Sequence, residues 1–278
     1  GYLRTVRSFR EKSILITGAG RGIGKRLAIG FAAGGARIGL LARSKAELDL
    51  AQLEIEHAGG VSQRLRADVR DYEQIVSAVE RLTVQFGGVH VLICAHASLG
   101  AIGPLASADP IRWEEAAATN LVGTMKVCRA VLPGMVQRRS GKIILLAGPG
   151  SEGPRPNFSA YSSTQAALVR FAETLAEEVR EDNVQVNCMN PGATYTSLTD
   201  DILAAGDLAG EKELRDAAQV RATGGASVEK QMQLAEFLAS ERSNHISGKL
   251  ISIHDDLRKL ETANTHSELF TLRRTQRV

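Results

Sequence analysis

A chain of 278 residues, 44% hydrophobic and 23% charged, is long enough to bury one large core and has the composition of a globular enzyme. Its net charge of +3 excludes the strong basic field typical of nucleic-acid-binding proteins. Three cysteines within apolar runs are too few for a disulfide framework, and no apolar run reaches the roughly 20 residues that span a bilayer. We therefore expect a cytoplasmic protein with neither a nucleic-acid nor a membrane partner. Residues 1–12 are basic, lack the apolar centre of a signal peptide, and are interpreted as an extension.

The first predicted strand, Ser13–Thr17, leads into a glycine-rich turn and then a helix over 25–33. Glycine lets the backbone turn sharply and approach a phosphate, while the helix N-terminus supplies unpaired N–H groups. Strand, glycine loop and helix in this order predict a dinucleotide site. The candidate binding residues in this turn are Gly18, Arg21, Gly22, Ile23 and Gly24.

Strand-like and helix-like segments alternate along the rest of the chain. Further strands are predicted at 36–42, 61–67, 89–95, 142–147, 184–189 and 249–253, the second of these at a sheet edge because it is more polar. Helices are predicted at 45–57, 71–86, 111–138 with a bend near Pro133, and 159–181. The alternation predicts one α/β domain over 13–256, a Rossmann-type doubly wound parallel sheet of about seven strands with helices on both faces.

Two segments stand apart from this alternation. Residues 197–226 follow a strand and are placed to form a substrate lid, although an ordinary surface excursion fits the pattern equally well. Residues 257–278 form a charged C-terminal tail whose apolar residues suggest docking on a neighbouring subunit. Those residues are Leu260, Leu269, Phe270 and Leu272. The pairs Asp200-Asp201 and Asp255-Asp256 are interpreted as solvated or capping carboxylates, so no metal site is expected.

The residues after the second and third strands bear on the choice of cofactor. Arg43 and Ser44 stand where an acidic residue would bind the ribose 2′-hydroxyl of NAD(H), whereas arginine suits a 2′-phosphate. Arg21 adds a second cation, so NADP(H) is favoured over NAD(H); the alternative is that both arginines are simply solvated. Asp68, followed by Val69, could bind the adenine amino group or cap a helix.

From Ser13 to Ile253 these motifs resemble the short-chain dehydrogenase/reductase family. Thr17 to Gly24 matches its TGxxxGIG motif, and Asp68-Val69 its adenine-contact pair. The resemblance implies an NAD(P)(H)-dependent oxidoreductase acting on a small-molecule substrate and assembled as a homotetramer or homodimer through the helices around Asn120 and Tyr161. It also implies cofactor contacts from the PG motif at 191–196 and from the end of the strand predicted at 89–95. The matching residues are Ala95, Pro191, Gly192, Thr194 and Thr196.

At the catalytic positions the sequence departs from the family pattern. Asn120 and Tyr161 are kept, but Gln165 replaces the lysine of YxxxK and Gly148 stands where the serine is usual. The NNAG motif reads Cys94-Ala95-His96-Ala97, in which His96 is either a packed histidine or an additional proton donor. Glycine at 148 removes a hydroxyl and leaves extra space in the pocket.

These changes alter the expected chemistry. Tyr161 and Gln165 lie four residues apart on a helix, so both reach one ligand, and Gln165 can hydrogen-bond the ribose without supplying charge. Without a lysine, the Tyr161 pKa should be nearer its free value of about 10, which favours reduction over alcohol oxidation. The sequence thus predicts NADP(H)-dependent carbonyl reduction of a small or medium-sized substrate, with Tyr161 as proton donor. The alternative is a catalytically impaired protein that binds NADP(H) as a sensor or partner subunit.

Overall fold

The computed structural model describes residues 9–262 and 269–274. Seven parallel strands form one sheet in the order β3-β2-β1-β4-β5-β6-β7, which confirms the predicted doubly wound architecture and the edge position of the third strand. The strands are β1 Ser13–Thr17, β2 Arg37–Ala42, β3 Val61–Arg66, β4 Val91–Cys94, β5 Gly141–Leu146, β6 Val184–Asn190 and β7 Leu250–Ser252. Because the strand order reverses beside β1, a crevice opens at the carboxyl ends of β1 and β4.

Ten α-helices connect and cover these strands within the described ranges. They are α1 Gly22–Ala33, α2 Lys45–His57, α3 Tyr72–Phe86, α4 Pro110–Ala117, α5 Thr124–Arg138, α6 Ser159–Glu178, α7 Ser197–Ala205, α8 Glu211–Thr223, α9 Val228–Ala239 and α10 Leu257–Thr262. No helix in 9–262 or 269–274 combines the length and the apolar character needed to cross a membrane.

The predicted helix over 111–138 is interrupted, but the expected bend near Pro133 is not where the interruption lies. A π-helical turn, Ala118–Gly123, separates α4 from α5, and Pro133 stands inside α5. Proline removes a backbone hydrogen bond to the carbonyl four residues earlier, and Arg129 at that position is exposed to water. The helix therefore tolerates Pro133, while the wider π turn carries Asn120.

Alternate residues of each strand pack against opposite helical layers. Leu15 and Leu92 face the core beneath α3, α5 and α6, whereas Ile14 and Ile93 face the core beneath α1, α2 and α9. Helix α9 was absent from the sequence prediction, yet its Leu234, Phe237 and Leu238 are fully or nearly fully buried in this second core. The two buried faces fix the register of the central strands, whereas the edge strand β3 buries only Leu65.

The chain termini pack against this same domain. Phe9 contacts Phe31 edge-to-face with ring centroids 5.0 Å apart, while residues 1–8 of the predicted extension lie outside the described residues. Leu260 is buried, Phe270 and Leu272 pack against the two cores, and the Leu250 N–H donates to the Phe270 carbonyl at 2.7 Å. Leu260, Phe270 and Leu272 thus pack on their own domain, whereas Leu269 is 49% exposed. Residues 263–268 and 275–278 lie outside the described ranges.

Candidate active site

A cavity of about 900 Å³ opens at the carboxyl ends of the strands, between the β1–α1 turn and helices α7 and α8. Most of the predicted site residues line it, from segments that are distant in sequence. They are Gly18, Arg21, Gly22, Ile23, Arg43, Ser44, Asp68, Val69, Ala95, Gly148, Tyr161, Gln165, Pro191, Gly192, Thr194 and Thr196. Gly24 and Asn120 are not among its lining residues.

The glycine loop is shaped by backbone conformations that side chains rarely adopt. Gly18 and Gly22 have φ angles of +65° and +57°. A Cβ on Gly18 would lie 2.8 Å from the backbone nitrogen of His96, so the loop is pressed against the end of β4. At Arg21 no side chain caps α1, and the first turn of α1 holds no acidic residue. Its N–H groups therefore remain available to an anion at the cavity wall.

Gly24 acts in packing rather than in lining the cavity. A Cβ at this position would overlap the carbonyl oxygen of Gly18 and would lie 3.2 Å from the Cβ of Ala95. Glycine is what lets α1 approach the β1 and β4 ends closely. The TGxxxGIG pattern therefore contains a packing residue beside its turn residues.

Asn120 ties the π turn to its neighbours. Its Oδ1 accepts from the Ser98 N–H at 2.8 Å, and its Nδ2 donates to the Ser98 carbonyl at 2.8 Å and to Thr164 Oγ1 at 3.0 Å. Both amide hydrogens of Asn120 are thus used by protein groups, and the side chain is buried. This arrangement fixes the loop after β4 against α6, which carries Tyr161.

At the far end of the cavity lie the residues expected to contact adenosine. The Arg43 side chain makes no hydrogen bond or ion pair among the described residues, although its charge helps to lower the Asp68 pKa. Ser44 Oγ accepts from the Glu47 N–H at 3.3 Å as the cap of α2. Arg21 and Glu47 form an exposed ion pair at 3.5 Å, which contributes little stability. A cationic and an anionic group therefore share this rim.

Asp68 is engaged by a neighbouring arginine. Its carboxylate accepts hydrogen bonds from the Arg70 guanidinium, with the closest distance 2.7 Å, and these bonds lower the Asp68 pKa. The cap of α3 is Asp71, whose side chain accepts from the Gln74 N–H, so the interpretation of Asp68 as a helix cap is wrong. Asp68 still faces the cavity beside Val69.

His96 lies in a network of hydrogen bonds beneath the glycine loop. Its Nδ1 lies 2.6 Å from Thr17 Oγ1, and its Nε2 lies 3.1 Å from the Thr119 carbonyl and 3.2 Å from Thr124 Oγ1. Burial lowers the His96 pKa to about 4, so the imidazole is neutral at physiological pH. Its ring nitrogens connect β1 to the π turn, which agrees with the packed-histidine interpretation.

Tyr161, Gly148 and Gln165 interlock at the centre of the cavity. A Cβ on Gly148 would overlap the Tyr161 hydroxyl oxygen, so the expected extra space at Gly148 is taken by Tyr161 itself. Gln165 Oε1 accepts from the Gly148 N–H at 2.8 Å and joins α6 to the end of β5. The Tyr161 hydroxyl and Gln165 Nε2 have no hydrogen-bond partners within the described ranges, and both residues line the cavity.

The phenol of Tyr161 resists ionisation in this setting. Burial raises its pKa to about 12, and the nearby charge of Arg155 opposes that rise. The Tyr161 pKa therefore lies above the free value of about 10 that the sequence suggested, and the phenolate is harder to form. At neutral pH the phenol is protonated.

The loop after β6 is held by a residue that the sequence analysis missed. Gln231, buried on α9, donates through Nε2 to the Pro191 carbonyl at 2.9 Å and to Thr194 Oγ1 at 2.6 Å. Thr196 Oγ1 accepts from the Leu198 N–H as the cap of α7. A signal was present, because Gln231 belongs to the helical row of otherwise apolar residues Leu234, Ala235 and Leu238.

Helices α7 and α8 form the remaining wall, in the segment predicted as a lid. Both ends of the segment are joined, since the Tyr195 N–H donates to the Gly224 carbonyl at 3.1 Å and the Ala226 N–H to the Ala193 carbonyl at 2.7 Å. Ile202 and Ala217 pack with Tyr161 in a third, smaller apolar cluster. The wall near Tyr161 is therefore largely apolar.

Three carboxylates of the two acidic pairs accept hydrogen bonds within the chain, and the fourth, Asp201, is exposed. Asp200 accepts from the Tyr195 hydroxyl at 3.0 Å, Asp255 from the Ser252 N–H at 2.7 Å, and Asp256 from the Arg258 N–H at 3.0 Å. Within 9–262 and 269–274, no group of three or more histidine, cysteine or acidic side chains could hold a metal ion.

Comparison with known proteins agrees with this geometry. Residues 12–206 match the family model described as short chain dehydrogenase. The chain is 30% identical over 261 residues to the 3-oxoacyl-[acyl-carrier-protein] reductase FabG of Escherichia coli (strain K12), covering 89% of this chain and 97% of that protein. The structure of a gluconate 5-dehydrogenase from Burkholderia cenocepacia J2315 in complex with NADP and tartrate is similar, with a TM-score of 0.78 and 26% identity over 95% of this chain and 100% of that one.

A structure of NAD+-bound xylitol dehydrogenase shares the fold, with a TM-score of 0.82 and 23% identity over 89% of this chain and 99% of that chain. Both NAD+ and NADP thus occur among the structures that resemble this one. The chain belongs to the short-chain dehydrogenase family and is an NAD(P)-dependent oxidoreductase acting on CH–OH or C=O groups.

Proposed function

We propose that this protein uses NADPH to reduce a carbonyl group on a small or medium-sized substrate, with Tyr161 as the proton donor. The observation that carries the proposal is the Tyr161 hydroxyl, which faces the cavity and has no hydrogen-bond partner among the described residues. A protonated phenol without a partner is suited to donate to a substrate oxygen.

The glycine loop fits the pyrophosphate of a dinucleotide. Gly18 and Gly22 adopt left-handed conformations that expose the backbone, and α1 begins at this loop with an uncapped N-terminus. Gln165, Thr194 and Pro191 line the cavity where the nicotinamide half would be held. When bound, NADPH supplies the hydride that reduces the carbonyl carbon.

The residues of this chain then manage the proton. Tyr161 donates its phenolic proton to the carbonyl oxygen as that oxygen becomes an alcohol, and the phenolate takes a proton back from water. Gln165 holds the end of β5 in place through Gly148 and leaves its Nε2 free for a ribose hydroxyl. Asn120 contributes by fixing the loop after β4 against α6.

The preference for the phosphorylated cofactor rests on Arg43, whose guanidinium is free to pair with a 2′-phosphate. Ser44 and Arg21 lie beside it, while Asp68 and Val69 would border the adenine. Arg43→Ala should weaken NADPH binding by about tenfold to a hundredfold, the worth of a charged hydrogen bond of about 1.5–3 kcal/mol, and leave NADH binding nearly unchanged. Lys45→Ala, which removes an exposed cation next to Ser44, is the matched control. Equal losses for both cofactors would contradict the NADPH preference.

Turnover tests the main proposal. NADPH consumption is followed with carbonyl compounds that include a keto-gluconate and a 3-oxoacyl thioester, because similar proteins are named for gluconate and for 3-oxoacyl groups. Tyr161→Phe should reduce the rate by about 10²–10⁴-fold, while Tyr72→Phe, a surface phenol at the start of α3, should not. Quenching of Trp113 fluorescence reports binding separately. NADPH binding without turnover of any compound would instead support the sensor or partner-subunit alternative.

The domain boundaries and assembly are part of the same proposal. We assign residues 13–256 to the catalytic domain and 197–226 to a substrate lid, since α7 and α8 wall the cavity and both lid ends are tied together.

The exposed apolar residues Val122 and Met125 beside Asn120 favour a homodimer or homotetramer through this face. Light scattering measures the mass of the Met125→Lys variant and of its neighbour Lys126→Met. If this face forms the interface, Met125→Lys should lower the mass and Lys126→Met should not. The free, buried cysteines suit the cytoplasm.

A further inference from the structure

An ion pair joins the lid to the loop that precedes Tyr161. Arg155, between β5 and α6, donates from Nε to Glu213 Oε1 at 3.0 Å and from Nη2 to Glu213 Oε2 at 2.6 Å. The two side chains are only 11% and 17% exposed. A two-point pair in a partly dry site has a fixed geometry, unlike the exposed pairs on the surface of α8.

The guanidinium of this pair lies close to the proton donor. The Arg155 guanidinium carbon is 4.1 Å from the ring centre of Phe158 and 5.6 Å from that of Tyr161. Other charged or titratable groups also line the cavity, either along its substrate wall or at the nucleotide end. They are Glu152, Lys212, Asp216 and His96, and then Arg21, Arg43, Glu47 and Asp68. Among the groups that line the cavity, Arg155 has its guanidinium over the Tyr161 ring, and its charge opposes the rise of the Tyr161 pKa that burial causes.

We propose that Arg155 is a positioning residue that supplies positive charge to Tyr161, and that Glu213 on the lid sets how much of that charge Tyr161 experiences. The inference rests on the proposed role of Tyr161 as proton donor. A cation near a buried phenol stabilises the phenolate, and a carboxylate paired with that cation cancels part of the effect. Gln165 carries no charge, so Arg155 supplies electrostatic support at this site from another segment.

The test compares two substitutions that break the same pair but change the charge in opposite directions. Glu213→Gln keeps the shape and leaves Arg155 uncompensated, so the phenolate of Tyr161 should form at a pH lower by about one unit. Arg155→Met removes the cation and should move ionisation to higher pH. Ultraviolet absorbance of tyrosinate measures this without cofactor or substrate. It is read at one alkaline pH at which circular dichroism shows every variant folded, as the difference from the same protein carrying Tyr161→Phe.

Several controls separate charge from structure. Arg155→Lys keeps the charge and should stay closer to the parent than Arg155→Met does. Arg215→Met breaks an exposed pair with Glu211 on the same helix and should leave the tyrosinate absorbance of Tyr161 unchanged. If Glu213→Gln leaves this absorbance unchanged or lowers it, the pair only fastens the lid and the proposal fails.

The same variants give a second readout in alcohol oxidation at one fixed pH. A change of one pH unit in the phenolate midpoint alters the phenolate fraction about tenfold, so Arg155→Met should slow oxidation about tenfold and Glu213→Gln should accelerate it. If neither the parent nor the variants turn over any substrate, but the ionisation of Tyr161 still shifts as expected, the proposed function is rejected and this inference is kept. Turnover that depends on Tyr161, with an ionisation of Tyr161 that does not shift, would reject the inference alone.

Discussion

The two ends of the cavity are built by different means. At the nucleotide end the shape comes from backbone, with Gly18 and Gly22 in left-handed conformations and α1 starting uncapped. At the substrate end the shape comes from contacts between residues of distant segments. The Tyr161 side chain fills the space beside Gly148, and Arg155 pairs with Glu213. The first end leaves no room for a side chain at Gly18 or Gly24. The second depends on pairs of residues that must change together.

The largest expected effect concerns the fit between Gly148 and Tyr161. Gly148→Ala places a Cβ where the Tyr161 hydroxyl lies, so Tyr161 must move. Since a displacement of about 1 Å at a reacting group can cost about a hundredfold in rate, we expect carbonyl reduction to fall by that order while the NADPH dissociation constant changes little. Gly153→Ala, where a Cβ meets nothing within 4 Å, is the control in the same loop. Full activity of Gly148→Ala, or a gain with Gly148→Ser, would show that Tyr161 is not confined there.

At the nucleotide end, the strongest effect should come from Gly24. Its Cβ would overlap the Gly18 carbonyl, a backbone atom that cannot rotate away. Gly24→Ala should lower the free energy of unfolding by about 2 kcal/mol, in the range for overpacked cores, and weaken dinucleotide binding. Gly30→Ala in the same helix meets the flexible Met232 side chain and should cost less. Urea denaturation measures both, and equal losses would contradict the role of the Gly24–Gly18 contact.

Gln231 on α9 holds in place the loop after β6, which contains Pro191 and Thr194 and lines the cavity. Gln231→Met removes two hydrogen bonds and should cost about 1–2 kcal/mol of stability and weaken NADPH binding several-fold. Gln233→Met, an exposed position two residues further along α9, supplies the control. An unchanged dissociation constant for NADPH would mean that this loop keeps its place without Gln231.

The smallest effect at neutral pH is expected from His96, whose contribution to stability emerges only as the pH falls. Its pKa falls from 6.5 to about 4 on folding, so the unfolded chain binds a proton that the folded chain does not between these values. Stability should therefore decrease as pH falls from about 6.5 towards 4, by at most about 1.4 kcal/mol per pH unit. His96→Asn should flatten this dependence in urea denaturation measured at several pH values. The same slope in parent and variant would assign the acid sensitivity to other groups.

Features set by local sequence patterns could be predicted, whereas contacts between residues distant in sequence could not. The strands of the parallel sheet and the glycine loop follow from apolar runs and from glycine spacing, which are local patterns. The position of the helix break was wrong because Pro133 is tolerated at an exposed carbonyl, while the π turn carries no local signal. The Arg155–Glu213 pair joins residues 58 positions apart, and Gln231 acts across 37 residues on Thr194. Such contacts depend on the completed fold and could not be derived from spacing.

The pH dependence of alcohol oxidation tests the central claim most directly, namely that Tyr161 is a buried phenol held in its protonated form. Burial raises its pKa to about 12, so the fraction of phenolate is small at neutral pH and grows tenfold with each pH unit. We expect the logarithm of the oxidation rate to rise with a slope near one from about pH 7 to 10, without a plateau. A rate that levels off near neutral pH would show a phenolate already formed there and would contradict the account.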